Sequence, residues 1–249
     1  MTRFLLLSIR DGEEVVRDEH EAFARHLGVP VAAVERHQLG VDPVSPSLLA
    51  DVAARRWDGL VLGGGSFTWS DPAEAKSPVQ QAAEADLAHL LDVVVPGGVP
   101  FLGVCYGVGT VGSWAGGVVD TTHGEPVGAT WVELTDAGRA DPLFAAMPDR
   151  FAAYGAHKEA LSTPPPDAVV LATGPTCPVQ AFRLGAHAYV TQFHPELDLA
   201  GLTVRVRAYA HHGYFDPADA DALLTEAART PVTAAGGVLD AFARRYARV

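Results

Sequence analysis

The chain has little cysteine and little lysine, and each shortage argues against a class of protein. It contains two cysteines, Cys105 and Cys177, in 249 residues, which argues against a disulfide framework. It contains two lysines, Lys76 and Lys158, and no G-x-x-x-x-G-K-[ST] sequence, which disfavours a nucleotide-phosphate loop. The formal charge of −12 argues against nucleic acid or an anionic membrane surface as a partner.

Long apolar runs are also missing from the sequence. No stretch is long enough to span a bilayer, and no secretory apolar region follows Met1. We therefore expect a cytoplasmic protein that does not associate with membranes. A chain of 249 residues with a hydrophobic fraction of 48% suits one α/β domain with a well-buried core.

Strand-like and helix-like patterns alternate through the first half of the chain. Residues 4–9 form a continuous apolar run, helical periodicity covers residues 14–27, and a helix is predicted over residues 78–94. Such alternation predicts βαβ crossovers, whose ligands bind beyond the carboxyl ends of the strands. Shorter strands follow, which predicts a mixed sheet, and the chain after residue 198 is predicted to be helical.

The most informative motif surrounds Cys105. Apolar residues lead into Gly103-Val104-Cys105-Tyr106-Gly107, the G-x-nucleophile-x-G pattern of a nucleophile elbow with cysteine as the nucleophile. A nucleophile of this kind lies on a strained turn between a strand and a helix, where flanking side chains would clash. The helix N-terminus there favours thiolate over thiol. The motif predicts a nucleophilic Cys105, provided that a base lies beside it.

A second strand-like segment, residues 188–193, is followed at once by His194-Pro195-Glu196. Proline ends the strand because it cannot donate to the ladder. A carboxylate two residues after the histidine can accept from one ring nitrogen and leave the other to face a thiol. Taken alone, the pair also fits a surface histidine and glutamate; beside a cysteine elbow, it predicts His194 as base and Glu196 as its orienting group.

Three glycines, Gly63, Gly64 and Gly65, follow another buried strand. Without Cβ atoms, the backbone N–H groups of such residues can approach a ligand closely. An N–H from Gly65 or Gly64, combined with the N–H of Tyr106, predicts an oxyanion hole. The alternatives are a plain glycine loop before a helix and a phosphate cradle.

Four segments in this order resemble the class I glutamine amidotransferases, the cysteine-dependent glutaminase family that includes the amidotransferase part of GMP synthase. They are Leu62-Gly63-Gly64-Gly65-Ser66, Gly103-Val104-Cys105-Tyr106-Gly107, Tyr154-Gly155-Ala156-His157-Lys158-Glu159 and Gln192-Phe193-His194-Pro195-Glu196. The combination is far more specific than any one motif, and the resemblance covers roughly the first 200 residues.

The resemblance implies a fold, a division of the chain and a set of roles. The fold is an α/β three-layer sandwich, flavodoxin-like, with a mixed, mostly parallel central sheet and C-terminal helices. A catalytic domain covers residues 1–198, and a helical extension, residues 199–249, packs on the same domain, as in stand-alone members without a fused synthetase. Cys105 is the nucleophile, His194 the base and Glu196 its orienting carboxylate; no cofactor or metal ion is expected.

Two positions depart from the family pattern. The family's elbow usually continues C-x-G-x-Q, with the glutamine helping to hold the amino-acid end of the substrate, and Gly109 stands at that position here. The family's Ser-His-x-Asp segment is Ala156-His157-Lys158-Glu159 in this chain. The resemblance therefore assigns substrate binding to Gly109, His157 and Glu159, and neither change touches Cys105, His194 or Glu196.

The implied activity is hydrolysis of the glutamine side-chain amide through a γ-glutamyl thioester. Glutamate is released, and ammonia passes to a separate acceptor protein such as a synthetase. Two alternatives stay open: a stand-alone hydrolase of γ-glutamyl conjugates, such as polyamine or peptide adducts, and a non-catalytic binding or regulatory member of the fold. The substrate is accordingly glutamine or a γ-glutamyl amide, and both a monomer and a homodimer are open.

Overall fold

Residues 2–248, which the computed structural model describes, form eleven strands and eight α-helices. The helices are α1 (Glu13–Leu27), α2 (Pro46–Ala53), α3 (Pro78–Val94), α4 (Tyr106–Trp114), α5 (Asp136–Ala140), α6 (Leu199–Ala208), α7 (Ala220–Ala227) and α8 (Gly237–Tyr246). The strands are β1 (Phe4–Ser8), β2 (Val34–Gln38), β3 (Gly59–Leu62), β4 (Phe101–Val104), β5 (Val118–Asp120), β6 (Glu125–Leu134), β7 (Arg150–His157), β8 (Ala160–Thr163), β9 (Ala168–Thr173), β10 (Ala181–Leu184) and β11 (Ala188–Thr191).

Nine of the strands form one mixed sheet in the order β2-β1-β3-β4-β11-β10-β9-β6-β7. The pairings from β2 across to β11 are parallel. Those from β11 across to β7 are antiparallel. Strands β5 and β8 form a separate antiparallel pair. β1, β3, β4 and β11 are buried along their whole length, as expected where helices cover both faces of a parallel sheet.

Alternate residues of β1 show that helices pack on both faces of the sheet. Phe4 packs in one core with Phe23 of α1 and Phe242 of α8. Its neighbour Leu5 points to the other face and packs in a second core with Leu87 of α3. Two cores on opposite faces of one mixed sheet confirm the expected three-layer α/β sandwich.

The predicted elements agree well with the observed ones where the sequence is strongly periodic. The helix predicted over residues 78–94 is α3, and the chain after residue 198 contains α6, α7 and α8. Strands β2, β5 and β8 were not predicted: β2 is a largely polar edge strand, and β5 and β8 form the short pair outside the main sheet. Helices α6 and α8 both pack against α1; the domain boundary at residue 198 stays a prediction.

The parallel half of the sheet decides where a site can form. β1, β3, β4 and β11 all end at the same edge, so the residues that follow them come together there. Those residues are Arg10, the three glycines at 63–65, Cys105 and His194. Within residues 2–248, no helix combines the length and the apolar character needed to cross a membrane.

Candidate active site

Cys105 occupies a strained backbone position between β4 and α4. Its φ of 53° and ψ of −82° lie in a region that residues with a side chain rarely adopt, and such strain clusters at functional sites. The Cys105 N–H donates to the carbonyl of Thr191 at 2.8 Å, which ties the turn to the end of β11. The thiol is partly exposed, and its Sγ lies 3.9 Å from the carbonyl oxygen of Ala156.

The two glycines that flank Cys105 differ in their packing. A Cβ on Gly103 would lie 3.2 Å from the Cα of Gly107, which is closer than ordinary packing allows. A Cβ on Gly107 would lie 3.5 Å from Val190, which is a normal van der Waals distance. The clash expected from the elbow pattern therefore exists at the first glycine, whereas the second has room for a methyl group.

His194 is held by its backbone and by a carboxylate. Its N–H donates to the carbonyl of Tyr154 at 2.9 Å, so the segment after β11 is anchored to β7 at this residue. Its Nδ1 lies 2.7 Å from Oε1 of Glu196, whose side chain is fully buried. A carboxylate on Nδ1 fixes the tautomer and leaves Nε2 available for a second group.

Gly64 shows that the imidazole and the thiol flank the same point of the backbone. A Cβ on this residue would lie 2.7 Å from Cε1 of His194 and 3.3 Å from Cβ of Cys105. Both side chains also line one cavity. The structure thus brings together two residues that are 89 positions apart in the sequence, and only a residue without a side chain fits between them and β3.

The charges around His194 favour its protonated form. Burial by itself lowers the pKa of His194, but the carboxylate of Glu196 and the charge of Cys105 outweigh burial and raise it to about 9. Burial by itself raises the pKa of Glu196, but His194, Arg10 and Arg205 outweigh burial and lower it to about 2. A histidine of this kind stabilises a neighbouring thiolate, which is the form that attacks a carbonyl carbon.

The backbone beside the thiol offers hydrogen-bond donors. Among residues 2–248, neither the Gly64 N–H nor the Gly65 N–H has a hydrogen-bond partner, whereas the Gly63 N–H donates to Leu7. Tyr106 begins α4, where first-turn N–H groups have no partner within the helix. The assignment of Gly65, Gly64 and Tyr106 to an oxyanion hole stays a prediction, and this arrangement is compatible with it.

Two cavities meet at Cys105. The arginine cavity, about 50 Å³ in volume, has Arg10 and Arg205 in its wall together with apolar side chains of α6. The Glu159 cavity, about 20 Å³ in volume, lies towards Phe67, Tyr106 and Glu159. Cys105, Gly65 and Tyr214 line both.

Tyr214 belongs to the segment between α6 and α7, and it stands where the two cavities meet. Its hydroxyl donates to the Gly65 carbonyl at 3.3 Å. The Lys158 ammonium lies 4.5 Å from the centre of its ring. This tyrosine therefore connects the C-terminal part of the chain to the glycine loop after β3.

Gly109 packs closely against Trp69 and Glu159. A Cβ on Gly109 would lie 2.6 Å from Cβ of Trp69 and 3.0 Å from Oε1 of Glu159. Both carboxylate oxygens of Glu159 accept backbone hydrogen bonds at 2.7 Å, one from Trp69 and one from Ser70. Trp69 thus occupies the space that a longer residue at position 109 would need, and the substrate-binding roles of Gly109, His157 and Glu159 stay predictions.

A second cluster has the same composition as the first: Cys177, His157 and Glu125, here called the buried cluster. Both ring nitrogens of His157 have partners, the Glu125 carboxylate at 3.0 Å and the Glu159 carbonyl at 2.9 Å. Glu125 also accepts from Gln180 at 2.7 Å. Burial raises the pKa of Cys177 to about 12, which keeps it a thiol, so it is a poor nucleophile and a poor metal ligand.

Sequence reasoning missed Arg10, Arg205 and Tyr214, which line the cavity at Cys105. Arg10 lies two residues after the end of β1, so its place at the carboxyl edge of a parallel sheet could have been predicted from the sequence. Arg205 and Tyr214 lie after the last recognisable motif, and no local pattern distinguishes them from other helix and loop residues.

Known proteins share both the sequence features and the fold. The chain is 36% identical over 145 residues to GMP synthase [glutamine-hydrolyzing] of Aeropyrum pernix, a match that covers 58% of this chain and 25% of that protein. It is 33% identical over 151 residues to the protein of the same name from Parafrankia sp., covering 60% of this chain and 25% of that one. The chain therefore spans about a quarter of the length of these curated relatives.

A solved structure described as a glutamine amidotransferase from Thermotoga maritima has the same fold. The TM-score is 0.73 at 21% identity, and the match covers 99% of this chain and 98% of that one. The sequence profile of the family described as "Glutamine amidotransferase class-I" matches residues 36–202, more than half of the chain. The protein therefore belongs to the class I glutamine amidotransferase family.

Proposed function

We propose that the protein hydrolyses the side-chain amide of glutamine through a γ-glutamyl thioester on Cys105. The observation that carries the proposal is the arrangement of His194: its Nδ1 is held at 2.7 Å by a buried carboxylate, while its ring and Cys105 both lie beside Gly64. Family membership supports amide hydrolysis by a cysteine.

The reaction begins with attack of the Cys105 thiolate on the amide carbon. The negative charge that develops on the oxygen is stabilised by N–H groups of Gly65 or Gly64 and of Tyr106. Protonated His194 gives its proton to the departing nitrogen as the carbon–nitrogen bond breaks, so ammonia leaves and a thioester remains. Neutral His194 then takes a proton from water, and the resulting hydroxide attacks the thioester carbon. The carbon–sulfur bond breaks, glutamate is released, and the ion pair of the Cys105 thiolate and protonated His194 forms again.

We further propose that the ammonia is used by an acceptor outside these 249 residues. The relatives named GMP synthase [glutamine-hydrolyzing] support this, because the match to this chain accounts for about a quarter of each of them. A synthetase that activates a carbonyl or phosphoryl group of its own substrate fits that role.

A trapping experiment tests the thioester directly. The purified protein is incubated with glutamine in the presence of hydroxylamine, which cleaves thioesters, and γ-glutamyl hydroxamate, glutamate and ammonia are quantified. The expected result is equal release of ammonia with and without hydroxylamine, with hydroxamate replacing part of the glutamate. Ammonia release without any hydroxamate contradicts a thioester intermediate, and no release, with or without candidate synthetases, contradicts the proposed activity.

A further inference from the structure

The arginine cavity has features that ammonia alone does not require. It lies on the His194 side of Cys105, where the leaving group of an amide departs, because His194 delivers the proton to that group. At about 50 Å³ it holds roughly three to five water molecules, given that one water needs about 10–15 Å³. A small amine with about that number of non-hydrogen atoms fits this space.

Arg205 supplies the strongest indication of what binds there. The residue is 6% exposed, and its Nη1 donates to Asp18 at 2.5 Å. Its Nε and Nη2 are buried, and neither has a hydrogen-bond partner among residues 2–248. Buried unpaired donors of a charged group are costly, and an anionic acceptor in the adjoining cavity would satisfy them.

Arg10 faces the same space from β1. It is 4% exposed, its Nε donates to Glu19 at 2.6 Å, and its Nη1 donates to Tyr209 at 3.1 Å. Its Nη2 has no partner within residues 2–248 and would lie 3.3 Å from a Cβ on Gly64, beside the thiol and the imidazole. Two guanidinium groups therefore line the cavity at Cys105, and each carries N–H donors without a partner among residues 2–248.

The nearby carboxylates do not account for these donors. Glu19 and Asp18 each accept one hydrogen bond from the pair, and Oε2 of Glu196 is itself buried without a partner among the described residues. Burial first, and then the charge of Arg10, lower the pKa of Arg205, although Glu19, Glu196 and Asp18 act in the opposite direction. An anion near both arginines would offset the repulsion between them, whereas a cationic polyamine would add to it.

Both arginines lie outside the part of the chain that the family profile matches, residues 36–202. The cavity is closed by Val206, Tyr209, Tyr214 and Phe215, which also follow that part. The leaving-group side of the site therefore combines residues of the matched part, such as Val127 and Leu202, with residues outside it.

We propose that this site also hydrolyses γ-glutamyl amides whose leaving amine is small and carries a carboxylate, which Arg10 and Arg205 bind. This inference rests on the proposed amide hydrolysis at Cys105. The reaction consumes one water: the γ-carbonyl carbon separates from the nitrogen, His194 protonates the nitrogen, and glutamate and the free amino acid are the products.

Three conjugates of similar size separate charge from shape. They are γ-glutamylglycine, with an anionic leaving amine, γ-glutamylglycinamide, its neutral isostere, and γ-glutamylethylenediamine, with a cationic one; glutamine is measured alongside. Two hydrogen bonds from charged donors predict a kcat/KM for the anionic conjugate about 10- to 100-fold above the neutral one, with the cationic one lowest. Leaving amino acids of two, three and four carbons then report the distance from the scissile nitrogen to the arginines.

Two variants on α6 form a matched pair. Arg205→Gln should reduce the preference for the anionic over the neutral conjugate by about 10-fold, mainly through KM. Arg207→Gln, an exposed arginine of the same helix, should keep the wild-type preference. Thermal unfolding of both variants shows whether Arg205→Gln still folds. If it does not fold, the comparison of the three conjugates with the wild-type protein still tests the proposal.

The outcomes separate the two proposals. Hydrolysis of glutamine or the neutral conjugate with no preference for the anion overturns the present inference and leaves the amidase intact. A preference that Arg205→Gln and Arg207→Gln both retain removes Arg205 from the binding site. Hydrolysis of none of the four compounds overturns both proposals.

Discussion

The protein contains two clusters built from the same three residue types: Cys105, His194 and Glu196 in the nucleophile cluster, and Cys177, His157 and Glu125 in the buried cluster. The first set is the candidate for the nucleophile and its base, and the two sets differ in how many of their polar atoms already have partners. His157 has both ring nitrogens engaged by protein groups. His194 has one nitrogen held by Glu196, and the other side of its ring flanks the cysteine.

The two cysteines differ in the same way. Cys105 is partly exposed at a helix N-terminus, whereas Cys177 is 0% exposed with a pKa raised to about 12 by burial. The comparison teaches that residue composition does not make a nucleophile; an accessible thiol and an uncommitted ring nitrogen do. The buried cluster instead supports the site, because His157 holds the carbonyl of Glu159, whose carboxylate holds the backbone at Trp69.

The largest expected effect separates the two thiols. Cys105→Ala should lower kcat for glutamine by at least about 10⁴-fold, because the covalent step is lost. Cys177→Ala should keep activity and cost about 1 kcal/mol of stability, because it leaves a small buried void. Steady-state kinetics and thermal unfolding check both, and a diazoketone analogue of glutamine should label Cys105 alone. Substantial turnover by Cys105→Ala, or labelling at Cys177, would contradict the proposal that Cys105 is the reactive thiol and Cys177 is not.

The next effect separates the two carboxylates. Glu196→Gln should lower kcat by about 10²- to 10⁴-fold, because an amide neither fixes the tautomer of His194 nor stabilises its charged form. Glu125→Gln should change kcat by less than about 10-fold but cost about 1–3 kcal/mol of stability, since an amide has one acceptor oxygen where the carboxylate has two that accept from His157, Gln180 and two threonines. Kinetics and urea unfolding of both variants provide the measurement. Equal losses of kcat would show that both clusters are catalytic.

The stabilisation that each cluster gives to the folded protein should also be lost at a different end of the pH range. The pKa of His194 is raised from 6.5 to about 9. Its contribution to the free energy of unfolding is therefore complete below about pH 6.5 and is lost as the pH rises through 9. Glu125 is the opposite case: hydrogen bonds from His157 and others overcome burial and lower its pKa from 4.5 to about 2. Its contribution is complete above about pH 4.5 and is lost as the pH falls through 2.

Urea unfolding at a series of pH values measures how the free energy of unfolding changes with pH. In the unmodified protein this free energy should fall by on the order of 3 kcal/mol between pH 6.5 and 9, and His194→Asn should reduce that fall. Glu125→Gln should leave that alkaline slope and reduce the acid one. An alkaline slope that survives His194→Asn assigns it to another group.

The smallest effect concerns Trp69, whose backbone is held by Glu159 and, through it, by the buried cluster. Gly109→Ala should displace Trp69 and raise KM for glutamine by about 3- to 10-fold, with a stability loss of about 1–3 kcal/mol, because its Cβ would overlap the tryptophan. Gly107→Ala in the same helix meets only ordinary contacts, so its stability should be unchanged or increased by up to about 1 kcal/mol. Identical effects of the two changes on KM and stability would show that the packing of Trp69 against Gly109 does not affect substrate binding.

The sequence predicted those parts of the fold whose local pattern is strong. The periodicity of α3 and the glycine-flanked Cys105 indicated a helix and an elbow, because buried faces and tight turns restrict which residues fit. The edge strand β2 was missed, because its side chains are mostly polar and show no apolar alternation. Sequence spacing also could not show that Trp69 fills the space beside Gly109, 40 positions away.

By itself, the sequence determined the alternation of strands and helices and indicated Cys105, His194 and Glu196 as candidate reactive groups, because those patterns depend on neighbours along the chain. Tertiary structure alone decided that the first Cys-His-Glu set leaves a thiol accessible while the second satisfies its own donors and acceptors. It also decided that Arg10 and Arg205, from the two ends of the chain, share one cavity with the thiol. Hydrogen-bond satisfaction and burial are properties of three-dimensional neighbours, and long-range contacts set them.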